Sequence, residues 1–296
     1  MFCKLKLSFV QSSLVSVLLF SSMQGQASVR HYQAKLENSD WQLSASSKLT
    51  CSLSHSIPRF GDAVFSSHAS KEDSLEFGLD MLKMPANYDV ASVESVPPQW
   101  RPGSQVKYIA DMKLLKQFDG EVPYKAAWTM LTELEKGMLP TIYYADWHNP
   151  YDKVAVSLNT INFHRAYEAF LHCRDQLLPF NLEDIRYTVL HYKLNSDQLT
   201  KTSAKRLAMI GDYLNADPTL EFALVSAYTD SHGGRWHNQV LSQKRADSVK
   251  NFLVEQGVEA GKIESTGLGE KRHIASNKDV LSRAKNRRVV IQLGND

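Results

Sequence analysis

One acidic and one basic side chain stand in the last third of the chain, where together they could bind a small charged ligand. Asp230 lies two residues after an apolar segment, residues 220–228, and a Gly-containing loop leads from it into a helix that carries Arg245. A carboxylate accepts hydrogen bonds from an ammonium group, and a guanidinium pairs with a carboxylate through its planar fork. The two side chains could therefore hold both ends of a zwitterion. A plain surface ion pair between loop and helix is the alternative.

Strand and helix patterns alternate around these two residues. β-branched, aromatic and apolar runs predict strands of a buried sheet over residues 186–194, 220–228, 262–267 and 287–293. A helix capped by Ser196 is predicted between the first two strands. A second helix over residues 237–256 ends at Gly257. The order β-α-β-α-β-β predicts an α/β sandwich.

Short motifs accompany Asp230 and Arg245 in a fixed order. They are Tyr228-Thr229-Asp230, the loop 232–234, Asn238, a Leu-Ser-x-x-Arg-Ala run at 241–246, Gly267-Leu268-Gly269, and Asn286-Arg287-Arg288. This order resembles the OmpA-like peptidoglycan-binding domain family over residues 187–293. The family usually has Gly-His before Thr-Asp, where this chain has Ala227 and Tyr228.

The OmpA resemblance implies a fold, a ligand and a set of contacts. It implies an α/β sandwich with a mixed sheet that binds meso-diaminopimelate of the peptidoglycan stem peptide. Asp230 would accept from the free ammonium and Arg245 would hold the carboxylate. The residues implied to line the same pocket are Asn238, Leu241 and Asn195. The possible supporting residues are Thr229, Tyr228, Arg287 and Arg288, and the two arginines either are structural or shape the field around the glycan.

The first 27 residues have the pattern of a secretory signal peptide. Lys4 and Lys6 precede an apolar run at 14–20, and small residues end the segment at Ala27. The alternative, a transmembrane anchor, needs an apolar run of about 20 residues. We predict cleavage after Ala27, with no membrane-spanning segment afterwards and a periplasmic location. The remaining 269 residues carry 32 basic and 32 acidic side chains.

The composition is that of an ordinary globular protein of two domains. Hydrophobic residues make up 43% of the 296 positions and charged residues 22%, which excludes a disordered, collagen-like or disulfide-dense chain. The formal charge of +2 is too small to indicate a nucleic-acid partner. Pro179 and nearby turn residues place the domain boundary so that the domains cover residues 28–178 and 179–296.

The first domain shows a different periodicity from the second. Apolar residues alternate in short segments between turns rich in Pro and Gly, which predicts antiparallel strands. Two helices are predicted, one opened by Pro123 and ended by Gly137, the other over residues 162–177. The prediction for this domain is therefore an antiparallel β-barrel or sandwich with two helices.

Residues with reactive or sugar-binding chemistry are sparse in the first domain. Paired carboxylates, His-x-x-x-His and Gly-rich phosphate loops are missing from its sequence, so we predict no catalytic site, no metal and no cofactor. Cys51 and His55 are the nearest approach to a nucleophile and base. The aromatic residues that could form a carbohydrate-stacking surface or belong to the barrel core and rim are Trp100, Trp128, Tyr143, Tyr144 and Trp147.

Two cysteines remain after the predicted cleavage, Cys51 and Cys173. Disulfides persist in exported proteins, so we predict that the two cysteines are bonded to each other. Two buried free thiols are the alternative.

The rest of the chain carries a more specific resemblance. Residues 51–65, 97–103, 183–185 and 286–294 are similar to the MotY family, the T-ring proteins of the sodium-driven polar flagellar motor. The resemblance implies a structural protein that is not an enzyme. Its first domain would dock on the basal body and on MotX, its second would hold peptidoglycan, and PomA/PomB-type stator units would assemble against the ring.

Two other functions fit parts of the sequence. A general cell-wall anchor unrelated to motility would also carry an OmpA-like domain. A cell-wall hydrolase would need a catalytic constellation in the first domain, where only Cys51 and His55 come near one.

Overall fold

Two separate hydrophobic cores organise the chain in the computed structural model, which describes residues 28–83, 85–116, 120–147, 149, 151–193, 198–220 and 222–294. One core joins residues between Trp41 and Cys173, and the other joins residues between Phe180 and Leu293. The prediction of two domains is therefore confirmed. The predicted signal peptide, Asn195 and the predicted helix cap Ser196 lie outside the described residues.

A single large sheet forms the first domain. Its strands are β1 (Val29–Gln33), β2 (Trp41–Ser46), β3 (Thr50–Ile57), β4 (Gly61–His68), β5 (Glu76–Met81), β6 (Asp89–Val96), β7 (Lys107–Leu114), β8 (Gly120–Val122), β9 (Leu139–Ala145) and β10 (Lys153–Ser157). They lie in the order β1-β10-β9-β6-β7-β8-β5-β4-β3-β2. Neighbours are antiparallel as predicted, except for the parallel pair β1 and β10.

The sheet curls around its core, so that its two edges approach each other. Trp41 of β2 donates its indole N–H to the carbonyl of Asn159, 2.7 Å away and just after β10. The Asn159 side chain in turn donates to the carbonyl of Ala34, 2.8 Å away and just after β1. Alternation along β3 buries every second residue on the inner face. The predicted barrel-like fold is thus confirmed.

Two helices and a disulfide bond complete the first domain. The helices are α1 (Tyr124–Glu135) and α2 (Phe163–Arg174). Cys51 on β3 and Cys173 on α2 form the predicted disulfide, with Cα atoms 6.0 Å apart. The bond fastens α2 to the sheet.

The second domain is an α/β sandwich with a mixed sheet, as predicted. Its elements are α3 (Leu182–Ile185), β11 (Tyr187–His191), α4 (Lys201–Ala216), β12 (Phe222–Ala227), α5 (Arg235–Glu255), β13 (Ile263–Gly267), α6 (Val280–Asn286) and β14 (Arg288–Gly294). The sheet order is β11-β14-β12-β13. Only β12 and β13 are parallel.

Local details of this domain differ from the prediction. The helix α4 begins after Thr200, whose hydroxyl accepts from the backbone of Ser203 at 3.2 Å. Leu199 is therefore outside the helix and pairs with Tyr192 in an isolated bridge. The short helix α6, capped by Asp279, was not predicted. A seven-residue helix shows too little apolar periodicity to stand out from a loop.

Candidate functional site

Asp230 is buried beside an arginine at the carboxyl end of β12. Its side chain is almost covered, and one oxygen accepts a hydrogen bond from Arg287 Nη1 at 2.8 Å. The other oxygen accepts from the backbone N–H of His232 at 3.0 Å. A carboxylate offers about four lone pairs, so two of these positions serve the fold and the others can serve a ligand.

Asn238 connects the carboxyl end of β12 to the loop after β13. It lies in the first turns of α5 and is 2% exposed. Its amide donates to the carbonyl of Asp230 at 3.3 Å and to Glu270 Oε2 at 3.2 Å. The structure therefore places Asn238 between Asp230 and Glu270. Glu270 was not predicted from the sequence.

Arg245 lies two turns further along the same face of α5, since it follows Asn238 by seven residues. Its side chain is buried, and the guanidinium lies over the ring of Tyr192, 4.5 Å from the ring centre. Leu241 lies between Asn238 and Arg245 on this face and is half-buried. The helix thus brings three of the predicted site residues to one side of the domain.

Arg287 and Arg288 have different positions although they are adjacent. Arg287 binds Asp230. Arg288 stacks on Tyr228, with 4.0 Å between the guanidinium carbon and the ring centre, and donates to the carbonyl of Arg272 at 3.0 Å. Burial lowers the pKa of Arg288. The structure thus gives Arg288 a packing role and puts Arg287 in the candidate site.

Thr229 lies between Tyr228 and Asp230 in the chain and is fully buried. Its backbone N–H donates to the carbonyl of Gly269 at 2.8 Å, which fixes the end of β12 against the loop after β13. Among the residues that the structure describes, its hydroxyl has no hydrogen-bond partner.

Asn286 holds the loop of residues 274–277 in place, a role that was not predicted from the sequence. Its side-chain oxygen accepts from the backbone of Ile274 at 2.9 Å and of Ala275 at 3.0 Å. Its amide donates to the carbonyl of Ala275 at 2.9 Å and to Asn277 at 3.0 Å. The sequence signal for Asn286 was its place in the Asn286-Arg287-Arg288 motif. The motif does not show which contacts Asn286 makes.

Gly267 allows α5 to lie directly against β13. A Cβ atom at this position would lie 2.2 Å from the backbone nitrogen of Gln243. The Gln243 side chain accepts from the Gly267 N–H at 2.8 Å. The Gly-x-Gly motif is therefore a packing requirement that keeps the helix and the site loop together.

Known proteins match both halves of the chain. The model for the MotY N-terminal domain matches residues 32–179, and the model for the OmpA family matches residues 191–287. The sodium-type flagellar protein MotY of Vibrio parahaemolyticus is 43% identical over 265 residues, which cover 90% of each chain. The chain belongs to the MotY family.

Other relatives of this MotY-family chain match about a third of it. The peptidoglycan-associated lipoprotein of Haemophilus influenzae is 34% identical over 106 residues, which are 36% of this chain and 69% of that protein. A protein of known crystal structure, the peptidoglycan-associated lipoprotein from Burkholderia pseudomallei, has 27% sequence identity to this chain. The two structures align with a TM-score of 0.34 over 36% of this chain and 89% of that one.

The Cys51 and His55 pair has a structural role in the first domain. Cys51 is in the disulfide. His55 is fully buried and stacks on Trp41, with ring centres 4.4 Å apart. Its Nδ1 lies 2.8 Å from the carbonyl of Asp40 and its Nε2 accepts from the N–H of Asn159 at 3.4 Å. Burial lowers the pKa of His55.

The aromatic residues of the first domain do not form one surface. Trp100 is largely exposed, whereas Trp128 packs under the guanidinium of Arg174 at 4.5 Å. Tyr144 and Trp147 stack on each other, with ring centres 5.1 Å apart. Within the described part of the chain, no helix is long and apolar enough to cross a membrane and no group of three or more His, Cys, Asp or Glu could hold a metal.

Proposed function

We propose that the protein is a periplasmic structural component of the flagellar motor. Its first domain docks on the basal body, with MotX, as part of a T ring. Its second domain binds peptidoglycan, and PomA/PomB-type stator units are anchored against this ring. The observation that carries the proposal is the similarity to a sodium-type flagellar MotY across 90% of both chains.

The proposed ligand of the second domain is the diaminopimelate of the stem peptide. Its free end bears an ammonium and a carboxylate on one carbon. The Asp230 carboxylate keeps lone pairs that can accept from the ammonium, while Arg287 and the His232 N–H hold it in place. A carboxylate fixed in this way does not have to be ordered when the ligand arrives, which favours binding.

Arg245 is the proposed partner of the ligand carboxylate. The face of its guanidinium lies on Tyr192, and its five N–H donors lie in the plane of the group. Asn238 and Leu241 complete one wall of the pocket because they share the helix face with Arg245. Asn195, which the resemblance implies, remains a prediction.

Contacts between the two domains support a mechanical role. Lys71 of the first domain forms an ion pair with Asp184 of the second. Leu49 of the first domain packs against the hydrophobic core of the second. A stator transmits torque only to a fixed support, so a firm connection between the docking and wall-binding domains is required.

The wall-binding half of the proposal is tested by co-sedimentation with purified sacculi. Asp230→Asn and Arg245→Ala are expected to abolish sedimentation while the circular dichroism spectrum stays unchanged. Asp212→Asn, an exposed acidic residue on α4, is the matched control and should sediment like the wild type. Undiminished binding by both site variants would refute the assignment.

The motor half is tested in cells and on isolated basal bodies. Deletion of the gene is expected to leave flagella that produce no torque, and the protein should co-purify with basal bodies. A general wall anchor unrelated to motility would be missing from basal bodies, and its deletion would leave swimming normal. We propose no enzymatic activity, so zymography on sacculi should show no cleared zone.

A further inference from the structure

The residue that follows the predicted cleavage point binds an aspartate at the edge of the first sheet. Ser28, the first residue after Ala27, donates its backbone N–H to Asp152 Oδ1 at 3.1 Å. Its hydroxyl donates to the same oxygen at 2.8 Å. The backbone N–H of Lys153 in turn donates to the Ser28 carbonyl at 2.9 Å. The polar groups of Ser28 are thus all held at the beginning of β10.

The Asp152 carboxylate is oriented and negatively charged at this place. Asn149 donates its side-chain amide to Asp152 Oδ2 at 2.8 Å. The hydrogen bonds from Ser28 lower the pKa of the Asp152 carboxyl, which is therefore ionised at neutral pH. Arg30, whose charge also acts on this carboxylate, pairs with Asp146 instead, at 2.8 Å. No described lysine or arginine forms an ion pair with Asp152, so its charge can serve another cation.

The first strand depends on the contacts at its beginning because its own side chains bury little surface. Among the described strands, β1 lies at the edge of the sheet and pairs only with β10. Four of its five residues are exposed, and Tyr32 is half-buried. Burial of apolar surface therefore contributes little to the position of β1. The backbone hydrogen bonds to β10 and the contacts of Ser28 must hold it.

The position of β1 affects the closure of the whole sheet. The chain leads from β1 directly to Ala34, whose carbonyl accepts from the side chain of Asn159 at 2.8 Å. The carbonyl of Asn159 accepts from Trp41 of β2 at 2.7 Å. These contacts join the two edges of the curled sheet, so a loosened β1 would also loosen its closure.

Removal of the predicted signal peptide changes the charge at this contact. Hydrolysis of the Ala27–Ser28 bond adds one water and leaves a carboxylate on Ala27 and an ammonium on Ser28. An α-amino group has a pKa of about 7.7–8.0 and is mostly protonated at neutral pH. The amide N–H beside Asp152 is thus replaced by a cation, and an ion pair is added to the hydrogen bonds.

We propose that Asp152 and Asn149 form a binding site for the α-ammonium of Ser28 that removal of the signal peptide creates, and that this ion pair fastens β1 to β10. The inference goes beyond the proposed motor function and rests on the predicted cleavage after Ala27. It makes the processed chain the form in which the sheet of the docking domain is held most firmly.

Amide hydrogen exchange of residues 29–33, followed by mass spectrometry, tests this inference on the exported protein. Its intact mass should correspond to a chain that begins at Ser28. Acetylation of the α-amine keeps the Ser28 N–H and removes only the charge, so exchange in β1 should become about threefold faster. Asp152→Asn should have an effect of the same size, because it removes the charge of the other partner.

The combination of the two changes separates the ion pair from other causes. In acetylated Asp152→Asn, exchange should be no faster than in either single change, because both remove the same interaction. Glu37→Gln, at an exposed acidic residue shortly after β1, is the control. It should exchange like the wild type and should still respond to acetylation. A processed chain that begins at another residue, unchanged exchange on acetylation, or additive effects of acetylation and Asp152→Asn would overturn the proposal.

Discussion

Arg287 and Asp230 form an ion pair of 2.8 Å that is mostly buried, although 57 positions separate them in the chain. The pair joins the end of β12 to the start of β14, the central strands of the second sheet. It fixes the carboxylate that the proposed ligand needs.

Loss of this pair should destabilise the second domain. Arg287→Ala leaves the Asp230 carboxylate buried without its cation, so we expect a loss of about 3 kcal/mol in the free energy of unfolding. Guanidinium unfolding followed by circular dichroism measures it. Arg235→Ala is the control, because that side chain is 91% exposed and its pair with Glu270 is long. The double variant Asp230→Asn with Arg287→Gln should recover part of the lost free energy of unfolding. Wild-type stability in Arg287→Ala would contradict a stabilising role of the buried pair.

His55 should make the first domain sensitive to acid. Burial holds its pKa below the ordinary value of 6.5, so the unfolded chain takes up a proton at a pH where the folded chain does not. The stabilisation is complete above pH 6.5 and decreases as the pH falls below that value. Tryptophan fluorescence during unfolding at pH 7.5 and pH 5.5 measures the difference, in a Trp236→Phe background that leaves tryptophans only in the first domain.

The matched variant for this acid effect is His55→Gln, which cannot titrate. It should be less stable at pH 7.5 but should show a smaller change between the two pH values. An equal change in both proteins would assign the acid sensitivity to other groups.

Removal of the disulfide should weaken the first domain. The bond closes a loop with a sequence separation of 122, and the loop-entropy relation gives a loss of about 4–5 kcal/mol for a loop of this size. We expect this loss in Cys51→Ser with Cys173→Ser, together with lower protein levels and impaired swimming. Non-reducing electrophoresis verifies oxidation in the wild type. Unchanged stability and swimming would show that α2 is held by packing alone.

Gly267→Ala should disturb the site through the backbone. The added methyl group meets the Gln243 backbone at 2.2 Å, so α5 or β13 must shift, at a cost of about 2–3 kcal/mol. Gly261→Ala is the control, since the nearest atom to its added methyl is the end of the Glu259 side chain at 3.9 Å. The first variant should unfold earlier and bind sacculi more weakly. Equal behaviour of the two variants would contradict the close approach.

The sequence alone predicted the strands and the longer helices, and it named residues that the structure places on one face of α5. Alternation in β3 and the apolar run of β12 predicted strands, because burial follows the two-residue period of a strand. The spacing from Asn238 to Arg245 put both on one face of α5, because seven residues are close to two helical turns. The pairing of Cys51 with Cys173 followed from export and from the small number of cysteines.

Only the tertiary structure decided the partners of these residues. Asp230 pairs with Arg287, Arg288 packs on Tyr228, and Glu270 joins the pocket. Local patterns do not contain this information, because the pairs lie 57, 60 and 32 positions apart, and adjacent arginines at the start of a strand point to opposite sides. Residue types and local spacing thus determined which chemistry is available, whereas the packing of sheet, helix and loop determined which groups meet.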